Sequence, residues 1–233
     1  WSVVAGGGTI TGGGVFTAGM VLGTFTNTVR ATDGAVSGNA TVTVIAGPLA
    51  TITVTPNPVT LAITAAQPFV AVGRDAGGNV VPMTPVWSIV AGGGTITGGG
   101  VFTAGTVPGT YTNTVRATDG AVSGNATVTV IAGPLATITV TPNPVTLAIT
   151  ASQPFTAVGT DAGGNVVPMT PVWSVVAGGG TITGGGVFTA GTVPGTFTNT
   201  VRATDGAVSG NATVTVIAGP LATITVTPNP VTL

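Results

Sequence analysis

The chain repeats itself with a period of 86 residues, and this constrains its fold more than any other feature. Trp1, Trp87 and Trp173 each open the phrase WS[VI]VAGGGTITGGGVFTAG. Residues 1–86 and 87–172 differ at only seven positions: Val3/Ile89, Met20/Thr106, Leu22/Pro108, Phe25/Tyr111, Ala66/Ser152, Val70/Thr156 and Arg74/Thr160. Whatever forms once must therefore form again beside itself, as in a tandem array of equal units. Three whole periods would take 258 residues, and the 233 present omit the counterpart of 62–86. The segment PLATITVTPNPVTL, at 48–61 and 134–147, returns at 220–233. We divide the chain into the C-terminal part of a repeat (1–47), two complete repeats (48–133 and 134–219) and the first strand of a further one (220–233). A unit of this size supports a small core of its own, which gains from stacked neighbours.

Within 48–133 the apolar pattern has period two, not 3.6. ATITVT at 50–55 puts Ile52 and Val54 on one face and Thr51, Thr53 and Thr55 on the other. The two prolines of PNP remove ladder donors, so 56–58 is a break or an edge kink. QPFVAVGRD at 67–75 is expected as one strand. Its outer face is given by the internal copy, because Val70 becomes Thr156 and Arg74 becomes Thr160, exchanges a packed core resists. Phe69, and Phe155 in the copy, therefore point inward. DAGGN at 75–79 has the residues of a turn. PVWSIV at 85–90 brings Trp87 and Ile89 to one face, a large apolar payload. TIT at 95–97 and VFT at 101–103 come next. TYTNTVRATDG at 110–120 alternates with Tyr111, Val115 and Ala117 on one face and Thr112, Thr114, Arg116 and Thr118 on the other. GNATVTVIAG at 124–133 sets Val128 and Val130 against Thr127 and Thr129. Seven short strands without helical periodicity predict an all-β fold, a tandem array of antiparallel β-sandwiches.

The order TITVTP, QPF-A-G-DA-GN, VWS[VI], GTIT–GVFTAG, TNTVRAT, ATVTV resembles the bacterial immunoglobulin-like domain family, in particular its group 2 modules. The resemblance spans the whole 86-residue unit. It implies that Trp87 and Trp173 lie on strand C, with Trp1 their counterpart, and that Phe69 and Phe155 lie on strand B. It also implies tandem, extracellular deployment in surface proteins such as adhesins and in phage structural proteins, with no common active site.

Function is narrowed by what the composition lacks. There is no Cys, His, Lys or Glu, and four Arg and five Asp supply all the side-chain charge. Charged residues make up 4%, against roughly 25% in an ordinary soluble domain. Common catalytic triads and dyads cannot be assembled from this set, so we expect no enzyme and no cofactor. No basic patch can form, which argues against nucleic acid. Disulfides are excluded, and with them any reading of the redox compartment. No apolar run approaches the roughly 18 residues of a spanning helix. PNP, the glycine runs and the short strands speak against a transmembrane barrel. The start in mid-repeat without Met is read as not the natural start.

Several residues invite chemistry. Asp75 and Asp119 could in principle work as a carboxylate pair across a cleft, but both sit beside glycine in turns. Asp75 and Asp161, each with the Asn of DAGGN, are weak calcium candidates, because Ca²⁺ takes six to eight oxygens. AGGGT and TGGGV lack the helix and Lys-Ser/Thr of a phosphate loop and read as permissive turns. Arg30, Arg116 and Arg202 recur on an outward face, solvated or Asp-paired. NAT at Asn39, Asn125 and Asn211 fits the N-glycosylation pattern.

The outer faces carry Thr, Val and Ala, without the Lys that usually guards sheet edges. A net charge of −1 gives little colloidal repulsion. Such a skin should be covered by neighbouring units, other chains or sugar. Two functions compete: a structural segment of a long extracellular filament or surface fibre, whose partners are copies of itself packed end to end and side by side, or an adhesin stalk or module binding glycan or a host protein. Recognition surfaces concentrate exposed aromatics and Arg. Only position 25, 111 or 197 offers a varying aromatic, so structure is favoured. A simple donor-strand exchange of 220–233 into 1–47 would still lack 25 residues, including the Phe-bearing strand. The chain is therefore read as a window on a longer periodic polypeptide.

Overall fold

The computed structural model describes residues 1–221 and 223–227. Among them every regular element is a strand. Two compact units result, Trp1–Ile131 and Ala132–Leu233. The first holds the incomplete repeat together with a complete one, and the second holds the other complete repeat. Residues 222 and 228–233 of the expected final strand lie outside the described residues, and the rest of 220–233 is in no strand.

The incomplete repeat supplies β1 (Ser2–Val3), β2 (Gly8–Ile10), β3 (Phe16–Ala18), β4 (Gly23–Asp33) and β5 (Val36–Val44). The first complete repeat supplies ten strands, β6 (Thr51–Thr55), β7 (Val59–Ala62), β8 (Ala66–Pro68), β9 (Val70–Arg74), β10 (Val80–Val81), β11 (Val86–Ile89), β12 (Gly94–Ile96), β13 (Val101–Ala104), β14 (Gly109–Asp119) and β15 (Val122–Ile131). The second repeats them as β16 (Thr137–Thr141), β17 (Val145–Ala148), β18 (Ser152–Pro154), β19 (Thr156–Thr160), β20 (Val166–Val167), β21 (Val172–Val175), β22 (Gly180–Ile182), β23 (Val187–Ala190), β24 (Gly195–Asp205) and β25 (Val208–Ile217).

In the first complete repeat the strands pair in the orders β10-β9-β6, β11-β14-β15-β7 and β12-β13-β8. Each complete repeat closes a separate core, as a β-sandwich does when the inner faces of its sheets meet. Ile52 and Val54 are buried with exposed threonines between them, and Val128 and Val130 likewise point inward. The largest fully buried side chain is Phe102, whose ring meets Phe69 edge-on at 6.2 Å. Phe188 and Phe155 repeat the pair.

The structure departs from the sequence reading in four places. Ten strands replace seven, because Val59–Ala62 and Val80–Val81 are also strands and 67–75 is two. The chain breaks that stretch at Phe69 and changes sheets, β8 pairing with β13 and β9 with β6. Phe69 is thereby driven inward at the corner. The pairing of β7 with β15, like that of β17 with β25, is parallel where the other ladders are antiparallel. After the two prolines the chain crosses from the sheet of β6 to that of β15 and runs beside β15 in the same direction. Finally, Thr114 is wholly buried, not outward. The register shifts between Tyr111 and Val115, and Asn113 adopts a φ of 53°. This bulge turns two consecutive residues, Thr114 and Val115, inward. The Thr114 hydroxyl is satisfied by donating to Gly92 O at 2.6 Å.

Close packing of strand β6 on β15 requires a residue without a side chain. A Cβ at Gly124 would stand 2.1 Å from Ile52 O, and one at Gly210 the same distance from Ile138 O. Nearby, Asn57 from the PNP break imitates a strand: its amide donates to Asn125 O and accepts from Thr127 N. Asn143 does the same at Asn211 and Thr213.

Candidate functional site

Both aspartates of a repeat are spent on backbone donors of separate loops. Asp119 accepts from Thr84 N at 3.0 Å, and Asp205 from Thr170 N at 2.9 Å. Asp75 is buried, although its sequence reads as an exposed turn. Its Oδ1 accepts from Asn79 N, and its Oδ2 from Gly47 N and Asn79 Nδ2, at 2.8 to 3.1 Å. The Asn79 amide first, and Gly47 N–H next, hold its carboxyl below the ordinary 3.8. At Asp161 burial pushes the carboxyl upward, but donors on Asn165, Gly133 and Gly163 together outweigh it and bring it to about 2. A carboxylate whose lone pairs meet this many N–H groups favours its charged form.

The oxygens of these two weak calcium candidates thus already have hydrogen-bond partners. Among the described residues no three of His, Cys, Asp or Glu come together.

Of the aromatic residues singled out by sequence, Phe69 and Phe155 are buried. Trp87 and Trp173 are half-buried against the cores, each ring lying on a glycine, Gly100 or Gly186. Trp1 is 59% exposed, since 1–47 contains no counterpart of β6–β10. Asn39 and Asn125 are exposed on β5 and β15, whereas Asn211 is half-buried and its Oδ1 accepts from Arg202 Nε at 2.9 Å. Arg30 and Arg116 donate to Ser37 and Ser123. The arginines are tied to neighbouring strands by neutral partners, not by aspartate. Sequence reasoning missed Phe102 as the centre of the core and Asp75 as a buried group. The first could have been read from VFTA, a short alternating strand between glycine turns.

Depressions on the described surface are shallow. One of about 340 Å³ lies on the first repeat beside Trp1, Asp33, Val36 and Gly38, where no strand plays the part that β6 plays in the complete repeats. Another, about 290 Å³, lies between Met20, Leu22 and Ile45 of the first repeat and Asp75, Gly77 and Asn79 of the next. No helix among the described residues is long and apolar enough to cross a membrane.

The fold is that of tandem β-sandwiches. No family model matches the chain, and no curated protein matches it. Solved structures similar to it include the S-layer protein rSbsC(31-844), at 21% identity over 81% of this chain and 31% of that one, TM-score 0.36. The Escherichia coli adhesin FdeC is similar at 24% identity over 77% of this chain and 68% of that one, TM-score 0.37. The protocadherin GammaB4 extracellular domain is similar at 18% identity over 79% of this chain and 37% of that one, TM-score 0.45. This chain spans about a third of the length of the S-layer protein. At these identities and scores, nothing about activity or partners passes from those proteins to this one.

Proposed function

We propose that the chain is a structural extracellular repeat protein, a segment of a long filament or surface fibre built from Ig-like modules of the bacterial group 2 type. One observation carries this reading: the outer faces of the repeats are built of threonine and valine and are almost without charge. Val70, Val80, Val86 and Val107 are each more than half exposed, on a surface with no lysine to keep other strands away. The partners this skin suits are further copies of the same module. Nor do the carboxylates of the complete repeats remain free for chemistry, since Asp75, Asp119, Asp161 and Asp205 accept from backbone N–H groups within the fold.

The competing recognition role, with glycan or a host protein as ligand, needs a presented aromatic. Tyr111, at the one aromatic position that varies, is packed instead. Its ring lies on Gly93, where a Cβ would come within 2.5 Å, and its hydroxyl donates to Val107 O. Sedimentation of the purified protein tests the proposal. We expect concentration-dependent association that persists when salt is raised, because uncharged contacts are not screened. A monomer at every concentration that binds glycan would overturn it.

A further inference from the structure

The DAGGN turn does more than reverse the chain. We propose that it is the joint between the two repeats of the unit Trp1–Ile131, fixing the linker that enters the second of them and reaching back to hold the first. In the unit Trp1–Ile131, the last strand of the first repeat ends at Val44. Gly47 N then donates to Asp75 Oδ2 at 2.8 Å. Leu49 occupies the room left by Gly73, where a Cβ would stand 2.6 Å from Leu49 Cδ1 and 2.9 Å from Met83 Sδ. Ala50 N donates to Arg74 O at 2.8 Å. Only Ile45 and Ala46 lie between Val44, the last strand residue of the first repeat, and Gly47, the first pinned residue of the linker, and the ring of Pro48 stiffens the linker beyond Gly47.

The turn also crosses to the previous repeat. Asn79 Nδ2, besides holding Asp75, donates to Met20 O at 3.2 Å. A Cβ on Gly77 would touch Met20 Cβ at 3.7 Å, so the turn sits directly against that loop. Because the acceptor is a main-chain carbonyl, any residue at position 20 can supply it. From below, Arg74 Nη1 clamps Gly78 O at 2.7 Å. Within the second unit the linker is anchored in the same way: Gly133 N donates to Asp161 Oδ2 at 2.8 Å, Ala136 N donates to Thr160 O, and Leu135 with Met169 fills the space over Gly159. Buried acceptors that bind a linker make its orientation costly to change. Short linkers without such anchors leave relative motion as the default.

The inference rests on the structural reading of the array, and its test reads the joint alone. The chain has no Cys, so spin labels at Val15→Cys and Val107→Cys, both exposed, report one distance across the joint of the first unit. In the full chain we expect a single narrow distance peak. Asn79→Ala, which leaves the Gly47–Asp75 bond in place, should broaden it, and Asp75→Ala should broaden it further. Circular dichroism checks that the sandwiches remain folded. Should Asp75→Ala fail to fold, Asn79→Ala alone decides. A broad peak in the unsubstituted chain, or variants as narrow as the parent, would overturn the joint. Neither outcome touches filament formation, which sedimentation reads separately.

Discussion

Phe102 and Thr114 show how single residues set the core. Phe102 is wholly shielded and meets Phe69 edge-on, so Phe102→Ala should cost about 3–5 kcal/mol. Because Phe188 and Phe155 belong to a separate core, urea denaturation should then show two transitions, the second where the unsubstituted protein melts. Thr114→Val keeps the shape but strips Gly92 O of its donor, an expected loss of about 1–3 kcal/mol, read in the same experiment. Asp161 adds a pH signature. Its folded carboxyl is lowered from 3.8 to about 2, so its contribution is fully present above about pH 4 and fades as pH falls towards 2. Acid titration of the melting temperature should therefore be flatter for Asp161→Asn across that window. Identical slopes would mean that the carboxylate is not held as described.

At the scale of elements, one glycine gives a comparison built into the chain. Gly38, Gly124 and Gly210 occupy the same place in three repeats, yet only the latter two have a strand lying on them. Gly124→Ala would drive a Cβ into Ile52 O and displace β6, at about 1–3 kcal/mol. Gly38→Ala meets nothing within 4 Å and should leave stability unchanged, as thermal melts can check. Much of this architecture was legible. Alternation in ATITVT and ATVTV gave the inner faces, and the Val70/Thr156 and Arg74/Thr160 exchanges gave the outer ones. The illegible parts share a cause, a backbone event that breaks period two. Asn113 at positive φ shifts the register that would have put Thr114 outside, and the corner at Phe69 splits a stretch that alternates without interruption. Strand β7 was hidden behind two prolines, since its parallel partner lies about seventy residues on. Asn, tolerant of the left-handed region, was the only available signal of the bulge. The burial of Asp75 was hidden because, besides Asn79 of its own turn, it is held by Gly47 of the preceding repeat.

The whole molecule is two well-formed cores wrapped in a skin that is poorly suited to water. Its exposed valines and threonines carry almost no charge, and near-identical neighbours risk misassembly during folding, a cost that a periodic assembly would repay. If copies of the module cover that skin, raising its charge should oppose assembly while sparing the fold. Val86→Lys together with Val172→Lys, both strongly exposed, should abolish sedimenting material without lowering the melting temperature by more than a few degrees. The most direct test of the structural role is electron cryo-microscopy of native material. We expect long ordered filaments whose axial subunit is the 86-residue repeat, with the outer valines buried against other chains. Isolated, flexible strings of modules with those faces in solvent would contradict it.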